Sequence, residues 1–322
     1  MGICGIGRAA ELGALWNWEK LSIPISQYTL NHGTHHFNDS RFGDRTDNRA
    51  DIKASILGND SGSNISMFSS VRLIVMVLLF ASFSVSAERL NVAVASNFLQ
   101  PMKQIVAEYE LSSAHKVNLI TGSSGKLFAQ IVNGAPFDLF FSADQDKVER
   151  LLKIGLADPK HRYTYAIGRL VVWSRNSAVH PDSHYLSKGK YNKLAMANPQ
   201  LAPYGVAARE FLEELQLYDR LSTRIVMGEN INQTFQFVFT QNAQIGLVAL
   251  AQVISLEENL QGAYWVVPSD LHQPIAQDAV VLNGSNKRAA ANDFLNFVKS
   301  TTGKHIIRSF GYELSEVIAH VN

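Results

Sequence analysis

From residue 88 onward, the apolar positions follow two alternating patterns. Short runs of β-prone residues are followed by longer segments in which apolar residues recur every three or four positions, as Phe98, Met102 and Ile105 do. The first pattern predicts strands and the second amphipathic helices. Their alternation predicts an α/β fold of doubly wound domains with mainly parallel sheets. We expect strands at residues 90–95, 117–120, 137–141, 170–173, 194–197, 225–227, 245–249 and 274–282.

The same pattern divides this part of the chain into two domains. The second domain repeats the strand-to-helix order of the first, and residues 162–168 lead from one to the other. The last predicted strand and the helices after it return to the first domain. We therefore expect domain I at residues 88–166 and 277–322 and domain II at residues 167–276, joined by a hinge of two crossover segments.

Residues 67–87 have a different character. A basic start is followed by an apolar run at residues 73–83 and by small residues up to Ala87. This is the pattern of a secretory signal peptide cleaved after Ala87, and the run is shorter than the about 20 residues that span a membrane. A buried core helix is the alternative. The signal predicts export to the periplasm.

A signal peptide stands at the start of a protein, yet residues 1–66 precede this one. They are polar and aperiodic, so we expect translation to begin at Met67 and residues 1–66 to be a non-native extension of the gene. A peptide from this segment in the exported protein, detected by mass spectrometry, would contradict that hypothesis. The segment contains three histidines, His32, His35 and His36, without a fourth metal ligand. We therefore expect a solvated chain there and no metal site.

Composition narrows the classes of function. Of 322 residues, 46% are hydrophobic and 18% are charged, which is typical of a globular protein, and the formal net charge is only +1. The globular part contains no run of basic residues with interleaved aromatics, so the sequence gives no reason to expect a nucleic-acid partner. The single cysteine is Cys4, so neither a disulfide nor a thiolate metal site is expected, and no cysteine after Ala87 is present to accept a lipid.

Four predicted strand-to-helix junctions carry similar small polar residues. The first N-H groups of a helix lack internal partners and attract anions, and ligands of open α/β sheets bind beyond the carboxyl ends of the strands. Two such sheets facing each other would direct all four junctions into one cleft. The alternative for each junction alone is an ordinary helix cap. The junctions are Ser96-Asn97, Ser123-Ser124, Pro203-Tyr204-Gly205 and Asn230-Ile231.

Charged residues near these junctions have simpler explanations than a chemical role. Asp138 and Asp144 suggest a metal or acid/base site, but helix capping and a turn contact account for them. Glu229 is interpreted as a favourable charge at a helix start, and Lys126 as a solvated side chain. The predicted site therefore consists of donors only, which disfavours phosphate because phosphate usually carries a proton that needs an acceptor.

As a set, the junction sequences resemble the molybdate-binding proteins of ABC importers, which are type II periplasmic solute receptors. The resemblance spans nearly all of residues 88–322, and the set of motifs is specific although each alone is weak. The matching runs are VASN at 94–97, GSSGKL at 122–127, GAPFDLFFSAD at 134–144, ANP at 197–199, APYG at 202–205 and GENI at 228–231.

The resemblance implies a receptor that binds molybdate or tungstate between two domains and delivers it to an ABC transporter membrane permease. It implies hinge closure, a monomer, no enzymatic activity and no cofactor; molybdenum would be present only inside the oxyanion, with no direct protein-metal ligand. In the first domain, it implies ligand contacts by Ser96, the Asn97 N-H and Ser124, with Ser123 nearby. In the second domain, it implies contacts by the backbone N-H groups of Tyr204 and Ile231.

One position departs from the family pattern. Several relatives have a tyrosine hydroxyl where this chain has Ala249, whereas Tyr204 stands where some relatives have a small residue. We hypothesise that the ring or hydroxyl of Tyr204 compensates. The departure leaves open a receptor for sulfate or another tetrahedral oxyanion.

Two other classes of protein share part of these patterns. Ser123 to Lys126 read S-x-x-K, the nucleophile motif of penicillin-interactive serine enzymes, but neither an S-D-N nor a K-T-G triplet accompanies it. The effector domain of a transcriptional regulator can share this fold, but residues 1–66 lack the paired amphipathic helices of a helix-turn-helix.

Overall fold

The computed structural model describes residues 87–188 and 190–315. The predicted extension and nearly all of the predicted signal peptide, with the three histidines, lie outside the described residues. Among those described, no helix is long and apolar enough to cross a membrane.

The described chain forms two five-stranded sheets. The first sheet has the order β2-β1-β3-β10-β4, and the second has the order β7-β6-β8-β5-β9. The strands are β1 Arg89–Ala95, β2 Lys116–Gly122, β3 Leu139–Phe141, β4 Tyr163–Gly168, β5 Leu170–Ser174, β6 Leu194–Ala197, β7 Ile225–Gly228, β8 Ile245–Ala249, β9 Ala263–Val266 and β10 Ile275–Val281.

Helices connect the strands and cover both faces of the sheets. They are α1 Leu99–Ser112, α2 Ser124–Val132, α3 Asp146–Lys153, α4 Ser183–Lys188, α5 Pro203–Glu214, α6 Tyr218–Leu221, α7 Ile231–Phe239, α8 Leu250–Ile254, α9 Arg288–Lys299 and α10 Thr301–Ser309, together with short 3-10 turns. The expected α/β architecture of doubly wound type is confirmed.

Strand β1 shows why helices cover both faces of the sheets. Val92 and Val94 pack into one apolar cluster with α1 and α9, while Ala93 packs into another with α2 and α3. A central parallel strand needs cover on both faces, and its sequence is therefore almost continuously apolar. Phe294 and Ile306 join the first of these clusters, so the last two helices pack on the first sheet, as predicted.

Two strands were missed by the sequence patterns. Residues 162–168 were interpreted as a passage between domains, but β4 is an edge strand of the first sheet, antiparallel to β10. β9 is an edge strand of the second sheet, antiparallel to β5. Each sheet is thus mixed, because the chain crosses between the sheets twice and the crossing strands run opposite to their neighbours.

The passage between the sheets is very short on one side. A single residue, Arg169, separates β4 in the first sheet from β5 in the second, and the chain returns through residues 267–274. The backbone of Glu313 pairs with Ile167 in both directions, and the side chains of Arg169 and Glu313 form an ion pair. The end of the described chain is therefore fastened to this crossing.

Candidate functional site

A small pocket of about 180 Å³ lies where the junctions of the two sheets meet. A pocket this small has no room for a drug-sized ligand and suits a compact one. The structure brings together at this pocket all six residues predicted for the site, which come from both lobes. They are Ser96, Asn97, Ser123, Ser124, Tyr204 and Ile231. We use the first lobe and the second lobe for the two sheets with their helices.

The two serines before α2 have different roles. Ser123 is the N-cap, and its Oγ accepts a hydrogen bond from the Lys126 N-H at 3.3 Å. The Ser124 Oγ accepts from the buried N-H of Ala143 at 2.9 Å, which leaves the hydroxyl hydrogen free to donate into the pocket. The simple capping role that was the alternative for this stretch therefore belongs to Ser123 and not to Ser124.

The second lobe presents two helix starts to the pocket. In α5, Pro203 occupies the first turn and has no N-H, and the Gly205 N-H donates to Ala202 O. In α7, the Asn230 side chain accepts from the second and third N-H groups of the helix, those of Asn232 and Gln233.

These caps leave one N-H at each helix start without an acceptor. Within the described residues, no hydrogen bond is formed by the N-H of Tyr204 or of Ile231. First-turn N-H groups have no acceptor inside their own helix, so both remain available to a ligand.

Among the described residues that line the pocket, the only ionisable group is the deeply buried phenol of Tyr204. The starts of α2, α5 and α7 contribute partial positive charge, and the serine hydroxyls contribute further donors. The arrangement is chemically suited to a small anion whose charge is spread over several oxygens.

Residues next in sequence to the pocket lining make contacts between the lobes. Lys126 Nζ lies 2.7 Å from Glu229 Oε1, and the Gly125 N-H donates to Leu201 O at 3.0 Å. Lys126 is exposed and Glu229 lies just before α7, as expected, but the sequence did not indicate that the two side chains pair across the cleft. A Cβ on Gly125 would lie 3.0 Å from Leu201 O, so this glycine admits the opposite lobe.

Both aspartates are occupied by structural contacts. The Asp144 Oδ1 accepts from the Lys147 N-H at the start of α3, as a cap does. Asp138 accepts from the Asn91 N-H at 2.7 Å and from the Ser285 hydroxyl at 2.6 Å, so it fastens β1 to the segment before α9. Among residues 87–188 and 190–315, no group of three or more potential metal-binding side chains is found.

A buried polar cluster behind the pocket was not predicted. Asn97 Nδ2 donates to Gln277 Oε1 at 2.8 Å, and the Tyr165 hydroxyl donates to the same oxygen at 2.9 Å. The hydroxyl of Tyr312 donates to Asn97 O at 2.9 Å. Gln277 carried a detectable signal, since it is polar within the apolar strand β10; Tyr312 follows the last helix and carried none.

The hydroxyl of Tyr204 points into this cluster. It lies beside Gly168, where a Cβ would come within 2.2 Å of it, and neither this oxygen nor Gln277 Nε2 has a hydrogen bond of good geometry among the described residues. Burial raises the pKa of Tyr204 and of Tyr165 well above the ordinary value for a phenol, so both stay protonated.

The Ala249 position is also part of the site's support. Its backbone N-H donates to the Gln252 side chain at 3.2 Å, and Gln252 Nε2 donates to Ile231 O at 3.3 Å. The missing tyrosine is thus replaced by a small buried residue at the start of α8, where a glutamine holds the start of α7 in place. Sequence reasoning did not identify Gln252.

A larger groove of about 670 Å³ adjoins the pocket and shares Ala143 and Pro203 with it. Its lining includes the carboxylates of Asp144, Asp146 and Glu210. Lys147 also lines the groove but pairs with Asp144 and Asp146, so the lining keeps a net negative charge that repels an anion, and the small pocket is the better candidate for an anion site.

Comparison with known proteins gives a consistent result. Residues 90–313 match the family model described as "Bacterial extracellular solute-binding protein". The chain is 41% identical over 220 residues to the molybdate-binding protein ModA of Rhodobacter capsulatus, covering 68% of this chain and 86% of that protein. It is 40% identical over 250 residues to ModA of Azotobacter vinelandii, covering 77% and 99%.

Solved structures show the same likeness. The periplasmic molybdate-binding protein of Azotobacter vinelandii matches with a TM-score of 0.67 at 37% identity, covering 70% of this chain and 99% of that one. The sulfate-binding protein SubI of Mycobacterium tuberculosis matches with a TM-score of 0.61 at 13% identity, covering 71% and 88%. At that identity the second match shows the fold alone.

Proposed function

The chain belongs to the family of bacterial extracellular solute-binding proteins, and from this premise we propose that it is a periplasmic receptor that binds molybdate between its two lobes. The observation that carries the proposal is the convergence of four strand-to-helix junctions on one small pocket whose described lining includes no carboxylate, lysine, arginine or histidine. The names of the relatives at 40% and 41% identity support molybdate as the ligand.

The proposed ligand contacts are the hydroxyls of Ser96 and Ser124 and the N-H groups of Asn97, Tyr204 and Ile231. Molybdate, tungstate and sulfate carry no proton near neutral pH, so each oxygen accepts hydrogen bonds and none needs an acceptor. Phosphate usually keeps a proton, which would have no acceptor among these donors. Tungstate has the same shape and charge and is therefore proposed to bind as well.

Binding is proposed to accompany closure of the lobes about the two crossings. With the ligand absent, a rotation about Arg169 and residues 267–274 would separate the junctions of the two lobes. With the ligand present, it would link donors of both lobes and be enclosed by the Lys126–Glu229 pair. The closed monomer would then deliver the oxyanion to the membrane permease of an ABC transporter.

The same geometry supports a binding protein over a serine hydrolase. Ser123 Oγ is engaged as a helix cap, and Lys126 Nζ pairs with Glu229 of the other lobe. The serine and lysine of the S-x-x-K match thus have partners unrelated to proton transfer. A nitrocefin assay is expected to show no turnover.

Calorimetric titration of the protein from residue 88 with molybdate, tungstate, sulfate and phosphate tests the proposal. We expect tight binding of molybdate and tungstate, weaker binding of sulfate and none of phosphate. Sulfate is the second candidate ligand, favoured by the absence of a tyrosine at Ala249. Binding of sulfate without binding of molybdate would overturn the assignment of the ligand while leaving an oxyanion receptor.

A further inference from the structure

The side chain of Asn97 is occupied even though the residue lines the pocket. Its two amide hydrogens have two partners, since Nδ2 donates to Gln277 Oε1 at 2.8 Å and to the Tyr312 hydroxyl at 3.1 Å. With the side chain engaged behind the pocket, the backbone N-H is the donor that Asn97 can offer to a ligand. The orientation of this peptide is then set by whatever holds the side chain and the carbonyl.

Tyr312 holds both. Its hydroxyl accepts from Asn97 Nδ2 and donates to Asn97 O at 2.9 Å, so one oxygen binds the same residue twice. Burial raises the pKa of this phenol well above its ordinary value, which keeps the donated hydrogen in place across the physiological range. The ring is fixed by an edge contact with Phe98, at 5.3 Å between centroids.

Gln277 is the second support. Its Oε1 accepts from Asn97 and from the Tyr165 hydroxyl, and that hydroxyl is itself 3.0 Å from Ser142 O. The hydrogen bond from Asn97 to Oε1 orients the amide, and Nε2 lies beside Gly168, as does the Tyr204 hydroxyl of the second lobe. Nε2 and the Tyr204 hydroxyl are both buried, and neither forms a hydrogen bond of good geometry in the described part of the chain, although the hydroxyl lies close enough to Gln277 and Tyr312 to interact with both.

We propose that Tyr312 and Gln277 are positioning residues that aim the Asn97 N-H at the bound oxyanion. The inference deepens the proposed function and rests on it. Neither side chain touches the ligand, since neither lines the pocket. Both act through Asn97, and the affinity of the site depends on a segment that follows the last helix, more than 200 residues away in the sequence.

The test compares two buried tyrosines of the same core. Tyr312→Phe removes both hydrogen bonds to Asn97, while the control Tyr109→Phe removes the hydrogen bond from Tyr109 to Asp293 at 2.9 Å, away from the pocket. Thermal unfolding without ligand and calorimetric titration with molybdate are measured for both. We expect both melting temperatures to fall, whereas molybdate affinity falls about tenfold for Tyr312→Phe alone.

A second variant, Gln277→Leu, is expected to lower the affinity for molybdate in the same way. It keeps the inference testable if Tyr312→Phe does not fold. Equal affinity in the wild type, Tyr312→Phe and Gln277→Leu would overturn the inference while leaving the receptor function intact. An equal loss of affinity in Tyr109→Phe would also overturn it, because general loosening of the lobe would then explain the effect. A wild type that binds no oxyanion would overturn the proposed function and the inference with it.

Discussion

The ion pair across the cleft gives a prediction whose sign separates two roles of the same residues. Glu229→Gln removes one partner of the pair with Lys126 and also removes a negative charge near the pocket. If the pair stabilises the closed form, the variant releases molybdate faster. If Lys126 acts only by attracting the dianion, removal of the competing carboxylate slows release.

The expected size follows from the exposure of the pair. The two side chains are 54% and 45% exposed and 2.7 Å apart, so the pair is worth about 0.2–1 kcal/mol. If the pair breaks before the ligand leaves, Glu229→Gln raises the dissociation rate about 1.4- to 5-fold. The exposed position also makes the effect sensitive to salt, and we expect it to shrink toward 0.5 M ionic strength.

Stopped-flow displacement of molybdate by excess tungstate measures the rate. The charge-reversed double variant, Lys126→Glu with Glu229→Lys, serves as the control, because it restores a pair of opposite charges in the same place. We expect its dissociation rate to return toward that of the wild type. Slower or unchanged release by Glu229→Gln at low salt would refute the reasoning.

Three further predictions concern the pocket and the stability of the fold. Ser124→Ala lowers molybdate affinity at least tenfold in calorimetry because a hydrogen bond to a charged ligand is lost, whereas Ser123→Ala mainly loses a helix cap and lowers stability by about 1 kcal/mol. Asp278→Ala costs about 1–3 kcal/mol in urea unfolding, because the Thr164 hydroxyl and the Gln145 amide lose their acceptor, while Arg162 loses one of two carboxylates and keeps Glu149. Burial raises the pKa of Tyr191 to about 12 from 10.0, so the contribution of this phenol to stability is constant below about pH 10 and is lost between pH 10 and 12, because the phenol ionises first in the unfolded chain; the difference between the wild type and Tyr191→Phe in urea unfolding over this window measures it.

The central strands and the site loops could be predicted because local sequence determines them. β8 begins and ends where its apolar run does, at Ile245 and Ala249, and the caps before α2 and α7 are visible as Ser123 and Asn230. Strand β4 was not predicted, because its alternating Tyr and Thr residues, which lie at the edge of the sheet, resemble a polar connection between domains. Its strand character comes from pairing with β10, more than 100 residues later in the chain.

The contacts between the lobes could not be predicted from the sequence for the same reason. Nothing near Lys126 in the sequence indicates Glu229, because the pair is made by the arrangement of two separately folded sheets. The anchoring of Asn97 by Tyr312 is equally non-local. The ligand assignments of the six pocket residues and the exact domain boundaries stay predictions.

The hydrogen bond from Gly125 to Leu201 has a consequence for measuring motion. Gly125 is in the first turn of α2, so its amide has no acceptor within the helix, and its described partner belongs to the opposite lobe. Exchange of this amide with deuterated solvent therefore requires the lobes to part and does not require the helix to unwind. A single backbone hydrogen thus records how often the receptor opens, without a label or an altered residue.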